Sequence, residues 1–443
     1  MAMSEKNNSI LSGVAAGTVG LAGAIASKAR AQGSGKIKIG LLGCGGRGNG
    51  ALRQCLNADP GVEVIAMADL FEHKVRSSRE RIMRDEKFKG RVKIDDDHLF
   101  WGFDCHEKLV KCDADLLLMA TAPAFRGRQM LAAVNAGKHI FTEKPVAVDP
   151  AGCRQVMEAS RIAKEKGLAI VCGTQRRHEL NRVELMNRLH DGQIGELVGG
   201  QCYWYGGGIW YRGYKEGLSE LEWQCENWYH FTWLSGDQIC EQHIHNIDIM
   251  NWCFDGPPAK FNALGGRAHR SYNDKQIKSA KEVCKKYTGS EEGWEKYNGD
   301  IWDHIFAELE YANGARCLSL SGHSPGAGRV DEKIVGTKGT SNCNNKIEGA
   351  KPWEYKGRRV NGMDQEHIDL IKSIRSGNPL NEGQRIAEST LTAIGARMSA
   401  ATGRTFSWKW LLNSKLSLVP SQDQMKPGPG IFNAIASGRD NLV

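Results

Sequence analysis

A glycine-rich turn near residue 43 is the clearest chemical signal in this 443-residue sequence. Glycines at 43, 45 and 48 follow the aliphatic run at 37–42 and fit the spacing G-x-G-x-x-G. Such glycines allow a tight turn, close approach of the backbone to a pyrophosphate, and packing of the next helix on the strand. The N–H groups and the positive dipole at the start of that helix would bind the phosphates. The residues predicted to bind a dinucleotide in this turn are Gly43, Gly45, Gly46, Arg47 and Gly48.

An acidic residue follows at the distance that a dinucleotide site requires. A second aliphatic run, at 62–68, ends in Asp69, 21 residues after Gly48. A carboxylate in that place hydrogen-bonds the adenosine ribose hydroxyls, and it would repel a 2′-phosphate. The sequence therefore predicts NAD as the cofactor rather than NADP.

Acid–base chemistry is indicated by the residues between 240 and 248. Glu241, His245 and Asp248 are spaced i, i+4 and i+7, so on a helix they would share one face. A neutral imidazole can take the proton of an alcohol, and a carboxylate can orient the ring. We expect these three residues to lie at a reacting hydroxyl.

A metal site is the alternative for the same segment. Cys240 and His243 add further metal-ligand types, and His243-x-His245 is a common zinc arrangement. Residues two apart on a helix point about 200° apart, so the two imidazoles would converge only on extended chain. We predict no metal, and a hydrogen-bonded packing role for His243.

Alternating strands and helices position the glycine turn and Asp69. Buried runs separated by helical segments predict a doubly wound parallel sheet, the Rossmann arrangement of an α/β domain. The predicted strands are 37–42, 62–68, 114–120, 139–142 and 168–172, and the later helices are 128–136 and 151–166.

The pattern changes after residue 172. Strands with polar and aromatic alternation predict an α+β domain with an open, mainly antiparallel sheet. The predicted strands are 197–205, 259–265, 305–311, 315–322 and 333–336, and the helices are 181–190, 365–376 and 384–401. The predicted domains are a leader at 1–34, an NAD-binding domain at 35–172, a substrate and oligomerisation domain at 173–410, and an extended arm at 411–443.

The composition excludes several classes of protein. With 41% apolar and 25% charged residues, the chain is neither an extended disordered protein nor a polytopic membrane protein. The net charge of +8 includes a basic stretch at 74–93 that also contains acidic residues, which predicts a solvated helix face and no nucleic-acid partner. Thirteen cysteines without a C-x-x-C pair lack the spacing of a disulfide framework or a zinc ribbon. We expect most of them to be buried thiols.

The N-terminus resembles a signal segment. Residues 7–27 carry no charge, Lys6 precedes them, and Ala29-Arg30-Ala31 supplies the small-x-small pattern of a cleavage site. We expect a periplasmic or exported protein whose mature form has no stable membrane insertion. Lys6-Asn7 stands where twin arginines would be, so the export route stays open. A cytoplasmic enzyme and an anchoring helix are the alternatives.

Five segments in the same order resemble the Gfo/Idh/MocA family, which includes glucose–fructose oxidoreductase and inositol dehydrogenase. The resemblance extends from Lys36 to about Trp410. The segments are 43–48 (GCGGRG), 143–145 (EKP), 173–178 (GTQRRH), 236–248 (GDQICEQHIHNID) and 365–370 (QEHIDL).

This resemblance implies roles for individual residues. Lys144 would lie beside the nicotinamide and the reacting hydroxyl, with Glu143 holding its ammonium. His245 would act as general base, oriented by Glu241 where the family more often has Asp. The remaining residues predicted to contact the cofactor are Thr121, Pro123, Glu143 and Lys144.

A sugar, glycoside or polyol is the predicted substrate class. Aromatic residues are dense between 203 and 233, and some of them could stack on the apolar faces of sugar rings, while the others would pack in the core. The predicted substrate contacts are Gln175, Arg176, His178, Trp204, Tyr211, His245 and Asp248.

Three functions are consistent with these residues. The first is an NAD-dependent oxidoreductase acting on a secondary hydroxyl, as a homo-oligomer. The second is an NAD-retaining glycoside hydrolase that works by transient oxidation and elimination. The third is a non-enzymatic NAD-binding sensor, for which Lys144 and His245 would be unnecessary.

Cofactor preference is the first testable prediction. NAD should bind more tightly than NADP, because a 2′-phosphate would meet the Asp69 carboxylate. Fluorescence titration of the purified protein with both cofactors measures this. Tighter binding of NADP would contradict the role assigned to Asp69.

Overall fold

The computed structural model of the chain describes residues 35–268, 272–323, 328–421 and 425. The predicted leader at 1–34, and the predicted arm beyond 421 apart from residue 425, lie outside the described residues. In the part that is described, no helix is long and apolar enough to cross a membrane.

The first half of the chain forms a six-stranded parallel sheet in the order β3-β2-β1-β4-β5-β6. The strand order reverses between β1 and β4, and ligands bind such sheets in the crevice outside the carboxyl ends of these strands. The strands are β1 Ile37–Leu42, β2 Val62–Asp69, β3 Leu99–Trp101, β4 Leu116–Met119, β5 His139–Thr142 and β6 Ile170–Cys172. The helices are α1 Gly46–Ala58, α2 Glu72–Met83, α3 Cys105–Leu109, α4 Pro123–Asn135 and α5 Pro150–Lys166.

The second half contains a nine-stranded sheet in the order β14-β13-β12-β11-β7-β10-β9-β8-β15. Its pairs are antiparallel except for β7 and β10, which run parallel. The long strands are β7 Leu197–Gly206, β8 Lys260–Gly266, β9 His304–Glu310, β10 Arg316–His323 and β11 Arg329–Gly336. The short ones are β12 Gly339–Ser341, β13 Lys346–Gly349, β14 Trp353–Glu354 and β15 Phe406–Ser407. The predicted Rossmann domain and mainly antiparallel second sheet are confirmed.

Two C-terminal helices connect the halves. Helix α12 (Gly362–Arg375) packs on α1, and Leu370, Ile371 and Ile374 belong to the core of the parallel sheet. Helix α13 (Gly383–Thr402) lies between α5 and β8. The other helices of this half are α6 Leu180–His190, α7 Glu220–Glu226, α8 Thr232–Ser235, α9 Gln238–Glu241, α10 Ile244–Cys253, α11 Asp274–Thr288 and α14 Trp408–Asn413.

Several elements differ from their predicted positions. Helix α4 begins at Pro123 rather than near 128, since proline is well suited to the first turn of a helix. Helix α11 was not predicted, because it is rich in lysine and buries only a narrow apolar stripe. Its capping box, in which Asn273 and Gln276 bond each other's backbone N–H groups, was the available signal. All thirteen cysteines are free thiols, and all but Cys112 are buried.

The glycine turn is fixed by close backbone contacts. Gly43 has a φ of +98°, a conformation that L side chains rarely adopt. A Cβ on Gly48 would lie 1.8 Å from the carbonyl oxygen of Gly43, so only glycine fits there. A Cβ on Gly46 would meet no atom within 4 Å.

This contrast gives a stability prediction. Gly48→Ala should lower the free energy of unfolding by about 1–3 kcal/mol, because the methyl group forces the strand and the helix apart. Gly46→Ala is the matched control and should leave the melting temperature of the NAD-free protein unchanged or slightly raised. Thermal unfolding measures both. Equal melting temperatures for the two variants would contradict the close contact at Gly48.

Candidate active site

The N-terminus of α1 has the features of a phosphate site. The helix follows Gly45, no side chain caps it, and a Cβ on Gly45 or Gly46 would meet no atom within 4 Å. The first N–H groups of this 13-residue helix have no side-chain cap, and the space around Gly45 and Gly46 is open. These residues fit the pyrophosphate of a dinucleotide.

Asp69 lies at the end of β2, beside the glycine turn. Its Oδ2 accepts a hydrogen bond of 2.7 Å from the Cys44 backbone N–H, and its Oδ1 accepts one of 3.0 Å from Phe71. Burial raises the pKa of this carboxyl, while the nearby Lys74 ammonium opposes the shift. Asp69 thus braces the turn that would hold the cofactor.

Arg47 and Glu143 bind each other. The Arg47 guanidinium donates to the Glu143 carboxylate, to Gln54 Oε1 at 2.7 Å and to Glu366 Oε1 at 3.4 Å. Glu143 was expected to hold the ammonium of Lys144, but its carboxylate is engaged by Arg47. The partner of the lysine is therefore a different carboxylate.

Lys144 projects from the end of β5 towards the second half of the chain. Its Nζ donates to the backbone carbonyl of Glu241 at 2.7 Å and to Glu241 Oε1 at 3.1 Å. The side chains of both residues are nearly buried. Glu241 thus holds Lys144, whereas the sequence predicted that it would orient His245.

The backbone before Glu241 is unusual. Helix α9 follows Gly236 and Asp237, which have φ values of +79° and +74°. Such a φ is rare for an aspartate, and the Asp237 carboxylate supports it by accepting hydrogen bonds from the N–H groups of Gln238 and Trp302, at 2.6 and 3.0 Å. This turn places the Glu241 carbonyl within reach of Lys144.

His245 is buried in the first turn of a separate helix, α10. The chain breaks its helical course between Glu241 and Ile244, so the predicted continuous face does not form. Its ring lies on the indole of Trp204, with centroids 6.0 Å apart, and its Nδ1 has no partner among the described residues. Burial, and then the charges of Lys144, Arg176 and Arg182, lower the pKa of His245 well below its ordinary value. The imidazole is therefore neutral.

Asp248 takes part in a buried ion-pair network. It accepts two hydrogen bonds from Arg177, at 2.8 and 3.0 Å, and one of 2.8 Å from Ser389 Oγ. Arg385 lies 3.3 Å from the same carboxylate. Asp248 is thus anchored away from solvent, which corrects the predicted substrate contact.

The segment 175–178 forms a 3₁₀ helix whose side chains turn inwards. Arg176 is paired with Glu332, and His178 donates to Asp369 Oδ2 at 2.7 Å with Glu382 Oε1 at 3.5 Å from its other nitrogen. These contacts replace the sugar contacts that were predicted for Arg176 and His178. Half-buried Gln175 lies where the segment meets α12.

The other predicted residues are placed as follows. Thr121 Oγ1 donates to Gln129 at 2.6 Å in the loop after β4, and Pro123 begins α4. Tyr211 packs against Trp223 and His230 in a separate aromatic core, where burial raises its pKa to about 12.

His243 contacts side chains of β10 and β7. Its Nε2 lies 2.7 Å from Ser319 Oγ and 3.7 Å from the Cys202 thiol, in a fully buried environment. Over the described ranges, no group of three His, Cys, Asp or Glu residues is arranged to hold a metal ion.

Sequence reasoning missed Arg126. This buried arginine bonds the carbonyl groups on either side of Lys144. A single arginine on a helix has no spacing signature, so no motif could have indicated it.

Comparison with known proteins agrees with this geometry. Residues 37–174 match the profile described as an oxidoreductase family with an NAD-binding Rossmann fold, and residues 183–342 match the GFO/IDH/MocA C-terminal domain. The chain belongs to the Gfo/Idh/MocA family. Its first domain is accordingly an NAD-binding domain, as predicted.

The curated relatives that match the chain include both a dehydrogenase and a glycosyl hydrolase. Inositol 2-dehydrogenase of Salmonella typhimurium is 26% identical over 218 residues, which cover 49% of this chain and 54% of that protein. A glycosyl hydrolase family 109 protein of Solibacter usitatus is 30% identical over 201 residues, covering 41% of this chain and 43% of that protein. The chain thus spans about half the length of these curated relatives.

Solved structures of the family share the fold. Aldose-aldose oxidoreductase of Caulobacter crescentus has a TM-score of 0.61 at 16% identity, covering 84% of this chain and 99% of that one. Scyllo-inositol dehydrogenase of Lactobacillus casei has a TM-score of 0.58 at 16% identity, with 84% and 98% covered.

The contacts of His178 predict a pH-dependent stability. Burial alone would lower the pKa of His178, but its bonds to Asp369 and Glu382 outweigh burial and raise the pKa to about 9. Charged His178 therefore stabilises the folded state. This stabilisation is complete below the ordinary histidine pKa of about 6.5 and is lost as the pH rises towards 9. His178→Gln should therefore cost roughly 2 kcal/mol more of unfolding free energy at low pH than at high pH.

Denaturant unfolding at pH values below 6.5 and above 9 measures this difference. The control is His190→Gln, which removes an exposed ring whose described hydrogen-bond partner is the Trp252 carbonyl rather than a carboxylate. An equal cost of His178→Gln at both pH values would contradict the charged state of His178.

Proposed function

We propose that this protein is an NAD-dependent oxidoreductase that oxidises a secondary hydroxyl of a sugar, glycoside or polyol. The observation that carries the proposal is the Lys144–Glu241 contact beside the neutral His245, at the carboxyl edge of an NAD-binding sheet. A lysine ammonium can stabilise the charge on the reacting oxygen, and a neutral base can take the proton of the hydroxyl.

Lys144 acts on the oxygen of the reacting hydroxyl. A lysine ammonium has three donors, and Glu241 takes two of those of Lys144. The third can bond the substrate oxygen and stabilise the negative charge that develops on it. Glu241 fixes the direction of the ammonium and so acts as its positioning residue.

His245 takes the proton of the hydroxyl. Its depressed pKa keeps the imidazole unprotonated, which a general base must be before it reacts. When bound, NAD would be the acceptor for the hydride that leaves the carbon carrying the hydroxyl. Buried His245 and half-buried Trp204 help to exclude water during this step.

The substrate class is supported by Trp204 and by the relatives. The indole of Trp204 beside His245 offers an apolar face near the base, suited to the C–H face of a sugar or cyclitol ring. Relatives are named for inositol and aldose chemistry. A polyol or sugar ring is therefore the proposed ligand.

A hydrolase of the family 109 type is the second candidate, favoured by the Solibacter relative. Hydrolysis through oxidation needs a further acid–base group at the leaving oxygen. Two histidines that could supply it have other partners: His178 pairs with Asp369, and His230 Nε2 lies 2.8 Å from the Trp210 carbonyl. These contacts favour the dehydrogenase.

The catalytic roles predict the behaviour of two variants. Lys144→Met and His245→Asn should each lower turnover by roughly 10² or more, because each removes an acid–base group. NAD affinity should survive, because both variants keep the glycine turn that would bind the pyrophosphate. NADH formation with a panel containing myo-inositol, aldoses and aryl glycosides measures the loss, with His190→Gln as a surface control.

The pH profile provides a second reading of the same roles. The acidic limb of the pH profile of kcat/KM reports the pKa of the base in the free enzyme. We expect this apparent pKa to be lower than the ordinary histidine value of about 6.5. Near-normal turnover of either variant would refute the assignment. Release of the aryl group without net NADH, with deuterium entering from heavy water, would favour the hydrolase.

A further inference from the structure

Arg126 connects two loops at the cofactor crevice. It lies in the first turn of α4 and is only 4% exposed. One guanidinium nitrogen, Nη1, donates to the carbonyl of Glu143 at 2.8 Å and also to the carbonyl of Pro145. The other, Nη2, donates to the carbonyl of Thr121.

These three carbonyls belong to neighbouring strand ends. Thr121 follows β4, and residues 143–145 follow β5, which pairs with β4 in parallel. The carbonyls of Glu143 and Pro145 stand on either side of Lys144. The planar guanidinium therefore fixes, in one rigid fork, the backbone from which the Lys144 side chain projects.

Uncharged backbone carbonyls hold Arg126. No carboxylate contacts its guanidinium among the described residues, and its Nε is buried without a hydrogen-bond partner. Burying a charge in this way costs free energy, which lowers the pKa of Arg126 to about 10. The charges of Glu143 and Glu241, which are also neighbours of Lys144, oppose this lowering of the pKa.

We propose that Arg126 is a second positioning residue of Lys144, besides Glu241, and that it clamps the loops after β4 and β5 so that the ammonium meets Glu241. This inference rests on the proposed role of Lys144. A lysine in place of Arg126 would keep the charge but could not span all three carbonyls with the geometry of a fork.

The first test requires no substrate. Lysines of the intact protein are acetylated with limiting acetic anhydride, and the rate at Lys144 is compared by mass spectrometry with that at exposed Lys164. In Arg126→Lys and Arg126→Gln, Lys144 should react several-fold faster, because its ammonium is no longer fixed on Glu241. Arg128→Lys is the matched control, since Arg128 lies on the same helix but contacts Phe125 and Met425.

The second test is a double-variant cycle with myo-inositol and NAD as the probe. Arg126→Lys should lower kcat by about 10- to 100-fold with unchanged NAD affinity, as expected for a misplaced catalytic group. In the Lys144→Met background it should cause little further loss, because a residue that acts through Lys144 has no effect without it.

Each contrary outcome has one meaning. Unchanged acetylation of Lys144 in a folded Arg126 variant, or fully additive losses in the cycle, would overturn the proposal. Loss of cooperative melting or NAD binding in both Arg126 variants would show that the guanidinium supports the fold, and would overturn it as well. Normal turnover of Lys144→Met would refute the proposed function instead, while the acetylation rates would still decide the role of Arg126.

Discussion

Lys144 stands at the end of a strand in the parallel sheet, and the Glu241 that holds its ammonium belongs to a short helix of the other half of the chain. Removing two opposite charges from water costs several kcal/mol, which their attraction recovers only with good geometry. The surrounding structure supplies that geometry from both sides. On one side Arg126 holds the loops around Lys144, and on the other the Asp237 turn fixes Glu241. The depressed pKa of His245 follows first from burial and then from nearby positive charges, of which Lys144 is one.

Much of the fold could be predicted from local pattern. The bounds of β1 and β5 follow from buried aliphatic runs, and the glycine turn follows from the few conformations that such spacing permits. Strand β3 has only three residues and a single buried side chain, so it carries no periodic signal. The NAD-binding sheet can thus be predicted from the sequence, whereas its edge strand β3 cannot.

The site was predicted in part, for a different reason. Residue types at motif positions identified the right region, but spacing does not determine which charged groups pair across the fold. Glu143 pairs with Arg47, and Glu241 pairs with Lys144. The partners in each pair are far apart in sequence and are brought together only by the fold. Similarly, the helical spacing of Glu241 and His245 was undone by a break at residues 242 and 243. Arg176 and His178 were predicted to contact the substrate, yet Arg176 pairs with Glu332 on β11. His178 contacts Asp369 on α12 and Glu382 at the start of α13.

Helix α12 lies far along the chain but packs on α1, and Arg375 donates two hydrogen bonds to the Asp59 carboxylate, at 2.7 and 2.9 Å. Its side chains Leu370, Ile371 and Ile374 complete the core of the parallel sheet. During synthesis, the apolar surface of the parallel-sheet half that α12 covers therefore stays exposed until residues 362–375 have left the ribosome. A fragment ending near residue 172 would retain every strand of that sheet and still present a bare hydrophobic flank. Such a nascent chain is a natural client for chaperones until its last helices arrive.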